Sequence, residues 1–114
     1  MEFFAATPEP PYLAVLFSSV LTDDPMDYGE VAARMLELAS QQDGFLGAES
    51  VRDDQDRGIT ISYWRDEAAI AGWRADVEHR ATMERAADFY AGWRIRVARV
   101  ERALAWDGEP GTPA

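Results

Sequence analysis

The side chains of this chain best suited to chemistry cluster in two adjacent stretches: Tyr63-Trp64, and then Gly72-Trp73-Arg74-Ala75-Asp76-Val77-Glu78-His79. His79 is the only histidine in 114 residues. With an unperturbed pKa of about 6.5, an imidazole gains and loses a proton near neutral pH. His79 is therefore the candidate catalytic residue, as a proton relay. It also reads as a structural group that anchors a helix through a carboxylate or a backbone carbonyl. Trp64 and Trp73 present indole faces on which a planar ligand can stack, or they seal the junction of a strand with a helix. Tyr63 and Tyr90 can donate hydrogen bonds to a quinone or phenolate oxygen, or sit buried with one partner each. Trp64, Trp73, Tyr63 and Tyr90 are the candidate substrate-binding residues.

Other charged groups fit less specific roles. Arg94, Arg96, Arg99 and Arg102 cluster near the C-terminus with Glu101 among them, which favours salt links. One of these arginines turned into a pocket stabilises an anionic substrate or superoxide. Glu49 and Glu78 are possible bases, but their spacing does not mark them as a pair.

Composition removes several alternatives. The chain has no cysteine, so disulfides, thiolate metal sites and a cysteine nucleophile are all excluded. One histidine cannot build a histidine-rich metal site within a subunit, and no metal is expected. All 11 basic residues are arginine, and the absent lysine rules out Schiff-base chemistry. A net charge of −10 repels phosphate backbones and anionic lipid, so neither nucleic acid nor a membrane surface is an expected partner. No segment approaches the roughly 20 apolar residues of a membrane span. The first residues carry Glu2 and then Ala-Thr-Pro-Glu-Pro-Pro, unlike a signal peptide, so a cytoplasmic protein is expected.

The elements that must position these groups can be read in order. Residues 1–11 form a proline-rich arm, in which Phe3 and Phe4 either dock on a neighbouring surface or fray. Residues 12–21 are a continuous apolar run suited to a central strand. Asp24 as N-cap and Pro25 at the first helical position start a helix carrying Tyr28, Val31, Met35, Leu38 and Ala39 on one stripe. Gly44 follows it in a left-handed conformation. Residues 45–52 and 58–64 alternate as two strands around a polar turn and make a hairpin. Ile59, Ile61 and Tyr63 face one way, and Thr60, Ser62 and Trp64 the other.

Asp66 caps a short helix with Ile70 and Trp73 on one face. A second helical piece carries His79, Met83, Ala86 and Tyr90, and Gly92 stops it. The run 93–106 is ambiguous in period, but its β-branched residues favour a strand with a bulge near Ala98. Residues 107–114 form a flexible tail.

The order β-α-β-β-α-β predicts an α+β, ferredoxin-like domain over 12–106: a four-stranded antiparallel sheet with its helices on one face. If the uncovered face carries Trp64 and other large groups, pairing with a second copy hides it, so a homodimer is expected.

The segments "QQDGFLGAESVRD", "GITISYWRDEAAIAGWRADVEH" and "WRIRVARVERALAW" resemble the antibiotic biosynthesis monooxygenase superfamily, over residues 12–106. That resemblance implies a dimeric α+β barrel in which two sheets face each other. It further implies oxygenation of a small hydrophobic aromatic without metal, flavin or other cofactor: the substrate anion reduces oxygen, while the protein supplies shape and a proton relay. His79 is then the relay and Trp64 and Trp73 the pocket wall. A non-catalytic barrel that binds a small hydrophobic molecule is the alternative. Haem-degrading members place their histidine farther past the tryptophan, where this chain has Met83, and use an asparagine; this chain contains none.

Overall fold

The computed structural model describes residues 3–108. The chain runs β1 (Tyr12–Leu21), α1 (Tyr28–Ser40), β2 (Phe45–Arg52), β3 (Arg57–Trp64), α2 (Glu67–Ala75), α3 (Val77–Met83), α4 (Ala86–Phe89) and β4 (Tyr90–Val100). The four strands form one sheet in the order β2-β3-β1-β4. Every neighbouring pair is antiparallel. This is the ferredoxin-like α+β arrangement expected from the element order.

The register decides which residues share a face. Leu13 pairs with Trp64, Val15 with Ser62, Phe17 with Thr60 and Ser19 with Gly58. On the other side of β1, Val15 pairs with Val97, Phe17 with Ile95 and Ser19 with Trp93. Cross-strand partners lie on one side of the sheet, and Trp64 packs with Ala39 of α1 and with Ala69 and Ile70 of α2. The whole set therefore faces the helices. Leu13, Val15, Phe45 and Trp73 complete this core.

Ile59, Ile61 and Tyr63 point to the opposite, helix-free face. Alternation separates the two sets of side chains but does not say which set the helices cover. The apolar set is the uncovered one, and Trp64 does not lie on the free face that pairing was expected to hide. Val20, Val51 and Ile59 are the exposed apolar groups there.

Part of the helix-free face is covered by the arm. The Ala5 amide donates to Glu49 Oε2 at 3.0 Å, and Thr7 Oγ1 lies 3.0 Å from the Tyr12 hydroxyl. Tyr12 and Ala14 are buried as a result, although Phe3 and Phe4 stay half exposed. Met1, Glu2 and residues 109–114, which include most of the expected tail, lie outside the described residues.

Three boundaries differ from the sequence expectation. Helix α1 begins three residues after Pro25, with Asp27 rather than Asp24 at its N-cap position. Met26 takes φ 53° and the Tyr28 amide bonds the Pro25 carbonyl at 3.1 Å. The segment is thus a turn and not a first helical turn.

The second difference is at Tyr90, which opens β4 and does not close a helix. Gly92 lies inside the strand, where it pairs with Val20. Tyr90 and Gly92 pair with the consecutive residues Leu21 and Val20, so the ladder irregularity falls at Ala91 and not near Ala98. Third, β4 ends at Val100, and residues 101–106 carry no regular structure.

The capped start of α2 is as expected. Asp66 Oδ1 accepts the Ala69 amide at 2.9 Å. Gly44 has φ +88°, and a Cβ there would stand 2.5 Å from Ala69 Cβ. The turn between α1 and β2 therefore needs glycine both for its backbone and for the approach of α2.

Candidate active site

His79 is positioned by a second cap. Asp76 ends α2 and starts α3, and its Oδ1 accepts the His79 amide at 2.9 Å. This break turns the chain so that the imidazole folds back onto Trp73. The two rings stack with centroids 3.9 Å apart and planes within 9°. His79 Nδ1 lies 3.0 Å from the Trp73 carbonyl oxygen.

A carbonyl only accepts, so Nδ1 carries the proton and donates it. In the neutral ring the lone pair is then on Nε2, for which no partner is present among the described residues. The half-buried ring is held below its ordinary pKa chiefly by desolvation. The bond to the Trp73 carbonyl and the nearby Asp76 charge act in the opposite direction.

Trp73 in turn stacks on Trp64, centroids 6.2 Å apart and planes 24° apart. Trp64 is fully buried, meets Phe45 edge-on at 5.3 Å, and donates Nε1–H to Ser62 Oγ at 2.9 Å. Three of the expected site residues, Trp64, Trp73 and His79, thus form one column of rings from the core outward. Trp64 lies too deep to touch a ligand in this arrangement, so His79 and the edge of Trp73 form the accessible end.

Tyr90 shares the helix-side face but not this column. Phe17 pairs with Ile95 four residues along β1 from Leu13, the partner of Trp64, which is about 13 Å. There Tyr90 packs against Phe17 at 5.3 Å and Tyr28 at 5.6 Å, and Phe17 lies 6.3 Å from Trp93. Burial, and then the neighbouring Tyr28, raise the Tyr90 phenol well above its usual pKa. The helices leave this flank open: Trp93, Ile95 and Val97 are 43%, 46% and 51% exposed.

Tyr63 belongs to neither group. It lies on the helix-free face and donates to Glu49 Oε1 at 2.7 Å, with its pKa pushed up to about 12 by burial and by that carboxylate. Both oxygens of Glu49 are engaged, one by Tyr63 and one by Ala5, which places this residue in arm docking. Glu78 is also committed, to Arg34 at 2.7 Å.

Sequence reading missed two contributors. Phe17 sat unmarked in an apolar run. Asp76 is the N-cap that orients His79, and an Asp three residues before the histidine is the signal that could have revealed it.

The family model described as antibiotic biosynthesis monooxygenase matches residues 11–85. The chain belongs to this family. It is 50% identical over 103 residues, 90% of each chain, to the uncharacterized protein YqjZ of Bacillus subtilis (strain 168). Among solved structures, it is similar to a variant of SnoaB, a cofactor-independent oxygenase from Streptomyces nogalater. That match has a TM-score of 0.73 and 15% identity, covering 82% of this chain and 96% of that one. A protein of unknown function from Nitrosomonas europaea matches with a TM-score of 0.71 and 16% identity, covering 89% and 100%. At such identities the likeness concerns the fold. No helix among the described residues is long and apolar enough to cross a membrane.

Proposed function

We propose that this family member oxygenates a small, electron-rich, hydrophobic aromatic without a cofactor, and that His79 is its proton acceptor. One observation carries the reading: the imidazole is fixed as the Nδ1–H tautomer, kept neutral, and left with an unpartnered Nε2 lone pair beside an indole edge. A group so prepared can take a proton from an acidic phenol or anthrone. The resulting carbanion or phenolate passes one electron to dioxygen, and the two radicals combine into a peroxide anion. His79 returns its proton to the peroxide, and loss of water leaves the quinone. Substrate plus O2 thus gives quinone plus H2O, and the protein ends unchanged.

The reading includes pairing into a homodimer through exposed apolar sheet surface, which is expected to elute as twice the chain mass in multi-angle light scattering. The activity is tested by oxygen uptake with anthrone. Uptake lost in His79→Ala with the circular dichroism unchanged supports the proposal. Equal uptake in both proteins, or none across a panel of phenols, sinks it.

A second reading, a barrel that binds a hydrophobic molecule without turning it over, is favoured by the depth of Trp64. Saturable binding of anthrone with no oxygen uptake selects it.

A further inference from the structure

The helix-free face of the sheet is raised at one end and hollow at the other. At the start of β1 the arm lies directly on the strands. Gly47, which pairs with Tyr63 of β3, lets it come so close that a Cβ there would stand 2.8 Å from Ala5 Cβ. The Ala5–Glu49 and Thr7–Tyr12 contacts hold the arm in place. Just before them Phe3 and Phe4 meet edge-on, centroids 5.6 Å apart, and remain 50% and 54% exposed. Two phenyl rings half in water on an anchored segment form an apolar knob.

At the end of β1 the same face is bare. Ser18, Val20, Ile59 and Gly92 leave a shallow hollow between Arg57 and Arg94. Ser18 pairs with Ile59 and Arg94, and Val20 with Arg57 and Gly92, so all six share the helix-free side. Val20 and Ile59 are exposed, as is Val51 beside Ile59. Arg57 is held by Asp53, Nε to Oδ2 at 2.7 Å. Arg94 donates to the Trp93 carbonyl at 2.8 Å and has no carboxylate within ion-pair distance among the described residues. Tyr12 and Val20 mark the two ends of the face, about 26 Å apart along β1 at the rise of a strand.

Knob and hollow on one face are complementary under a twofold axis that lies between two sheets and runs across their strands. Such an axis sets the start of β1 over the end of the other copy's β1. Each knob then meets the opposite hollow, and the two contacts form together. An axis along the strands would instead set both hollows at one end, guanidinium facing guanidinium and neither hollow filled. Charge favours the first arrangement. The arm carries Glu9, exposed and without a cation partner among the described residues, and the hollow is rimmed by the unpaired guanidinium of Arg94.

We propose that a second copy of this chain fills the hollow with its arm: Phe3 and Phe4 of each copy pack on Val20 and Ile59 of the other, inside the rim of Arg94. This rests on the homodimer proposed above and adds the segment, the face and the axis through which it forms. It also assigns a role to Glu49 and Tyr63, which lie outside the His79 column. By tying the arm to the sheet they hold the knob where the second copy meets it.

The test measures the dimer dissociation constant of the full chain by analytical ultracentrifugation. Phe3→Ser combined with Phe4→Ser removes the knob, and Gly92→Leu fills the hollow. A Cβ at Gly92 meets nothing within 4 Å, so the leucine enters the hollow without disturbing its own chain. Circular dichroism checks that both variants stay folded. Loss of the knob is expected to weaken the dimer about a hundred-fold or more, since the rings of both copies return to water. Gly92→Leu should weaken it about ten-fold or more. In a mixture of isotope-labelled and unlabelled protein, the Phe3 and Phe4 rings should show nuclear Overhauser contacts to the Val20 and Ile59 methyls of the other copy. A dimer without those contacts, or with its dissociation constant unchanged in either variant, overturns the proposal and leaves pairing itself standing. A chain that stays monomeric at millimolar concentration overturns both.

Discussion

The imidazole of His79 lies flat on the indole of Trp73 while its Nδ1–H bonds the carbonyl of that same residue. One residue thus fixes both the plane of the ring and its tautomer. Burial on this support favours the neutral ring, so the folded pKa falls below the unfolded value of about 6.5.

The consequence for stability follows from linkage. Above about pH 6.5 the ring is neutral in both states. As pH falls below that value the unfolded chain takes up a proton, while the folded chain does so only at its lower pKa. Stability therefore declines across the window between the two values and levels once the folded ring is protonated. The check is an NMR titration of the His79 ring together with urea melts over the same range. The expected midpoint is below 6.5, and His79→Gln should flatten the slope of stability within that window. A midpoint at or above 6.5 contradicts the desolvated stack.

Asp76 holds this geometry by capping α3 with the amide of His79 itself. Asp76→Ala should cost about 1 kcal/mol, the ordinary value of an N-cap. It also removes a negative charge that favours the imidazolium, so the His79 midpoint should drop further unless the stack opens. Asp76→Asn keeps the cap and loses the charge, so it should retain stability while lowering the midpoint. Equal stability loss in both variants would argue that charge, not capping, is what Asp76 contributes.

Much of this was legible in the sequence, and the failures have physical causes. The apolar run of β1, the hairpin and the Asp66 cap all carry local signals, and each element formed where those signals lay. The start of α1 did not, because Met26 adopts a positive φ that its residue type does not advertise. Gly92 resembled a helix stop but serves as a strand residue, since a glycine marks backbone freedom without stating its use. Alternation in β3 separated Tyr63 from Trp64 correctly, but only packing could tell which of the two faces the helices. For the same reason Tyr63 and Tyr90, grouped with the tryptophans by chemistry, occupy different parts of the molecule.

Tyr63 and Glu49 together tie down the arm. Glu49→Ala removes the acceptor of both the Tyr63 hydroxyl and the Ala5 amide. The Tyr63 pKa of about 12 should then fall toward the ordinary value near 10, since a negative charge and part of the burial are both lost. Ultraviolet titration of the phenol reads that change, and faster hydrogen exchange at the Ala5 amide reads release of the arm. Glu49→Gln, which keeps an acceptor, should lower the phenol pKa while leaving Ala5 protected. Unchanged exchange at Ala5 in Glu49→Ala would show that the arm is held by its other contacts.

Gly44 offers the sharpest test of the fold itself. At φ +88°, an alanine strains the backbone by about 1 kcal/mol or more, as expected in the left-handed region. Its Cβ would also stand 2.5 Å from Ala69 Cβ, on the first turn of α2, where neither atom belongs to a flexible side chain. Either α2 shifts or the turn does, and the core beneath includes Trp64, Ile70 and Trp73. Gly44→Ala should therefore destabilise by about 2–4 kcal/mol, from backbone strain and overpacking together. Ala69→Gly removes the opposing methyl and should recover part of that loss when combined with Gly44→Ala. It should only destabilise on its own, by up to about 1 kcal/mol, since glycine is a poorer helix former than alanine. Urea melts of the four proteins give the coupling between the two sites. Strict additivity would mean that the approach of α2 to the turn is looser than the packing described.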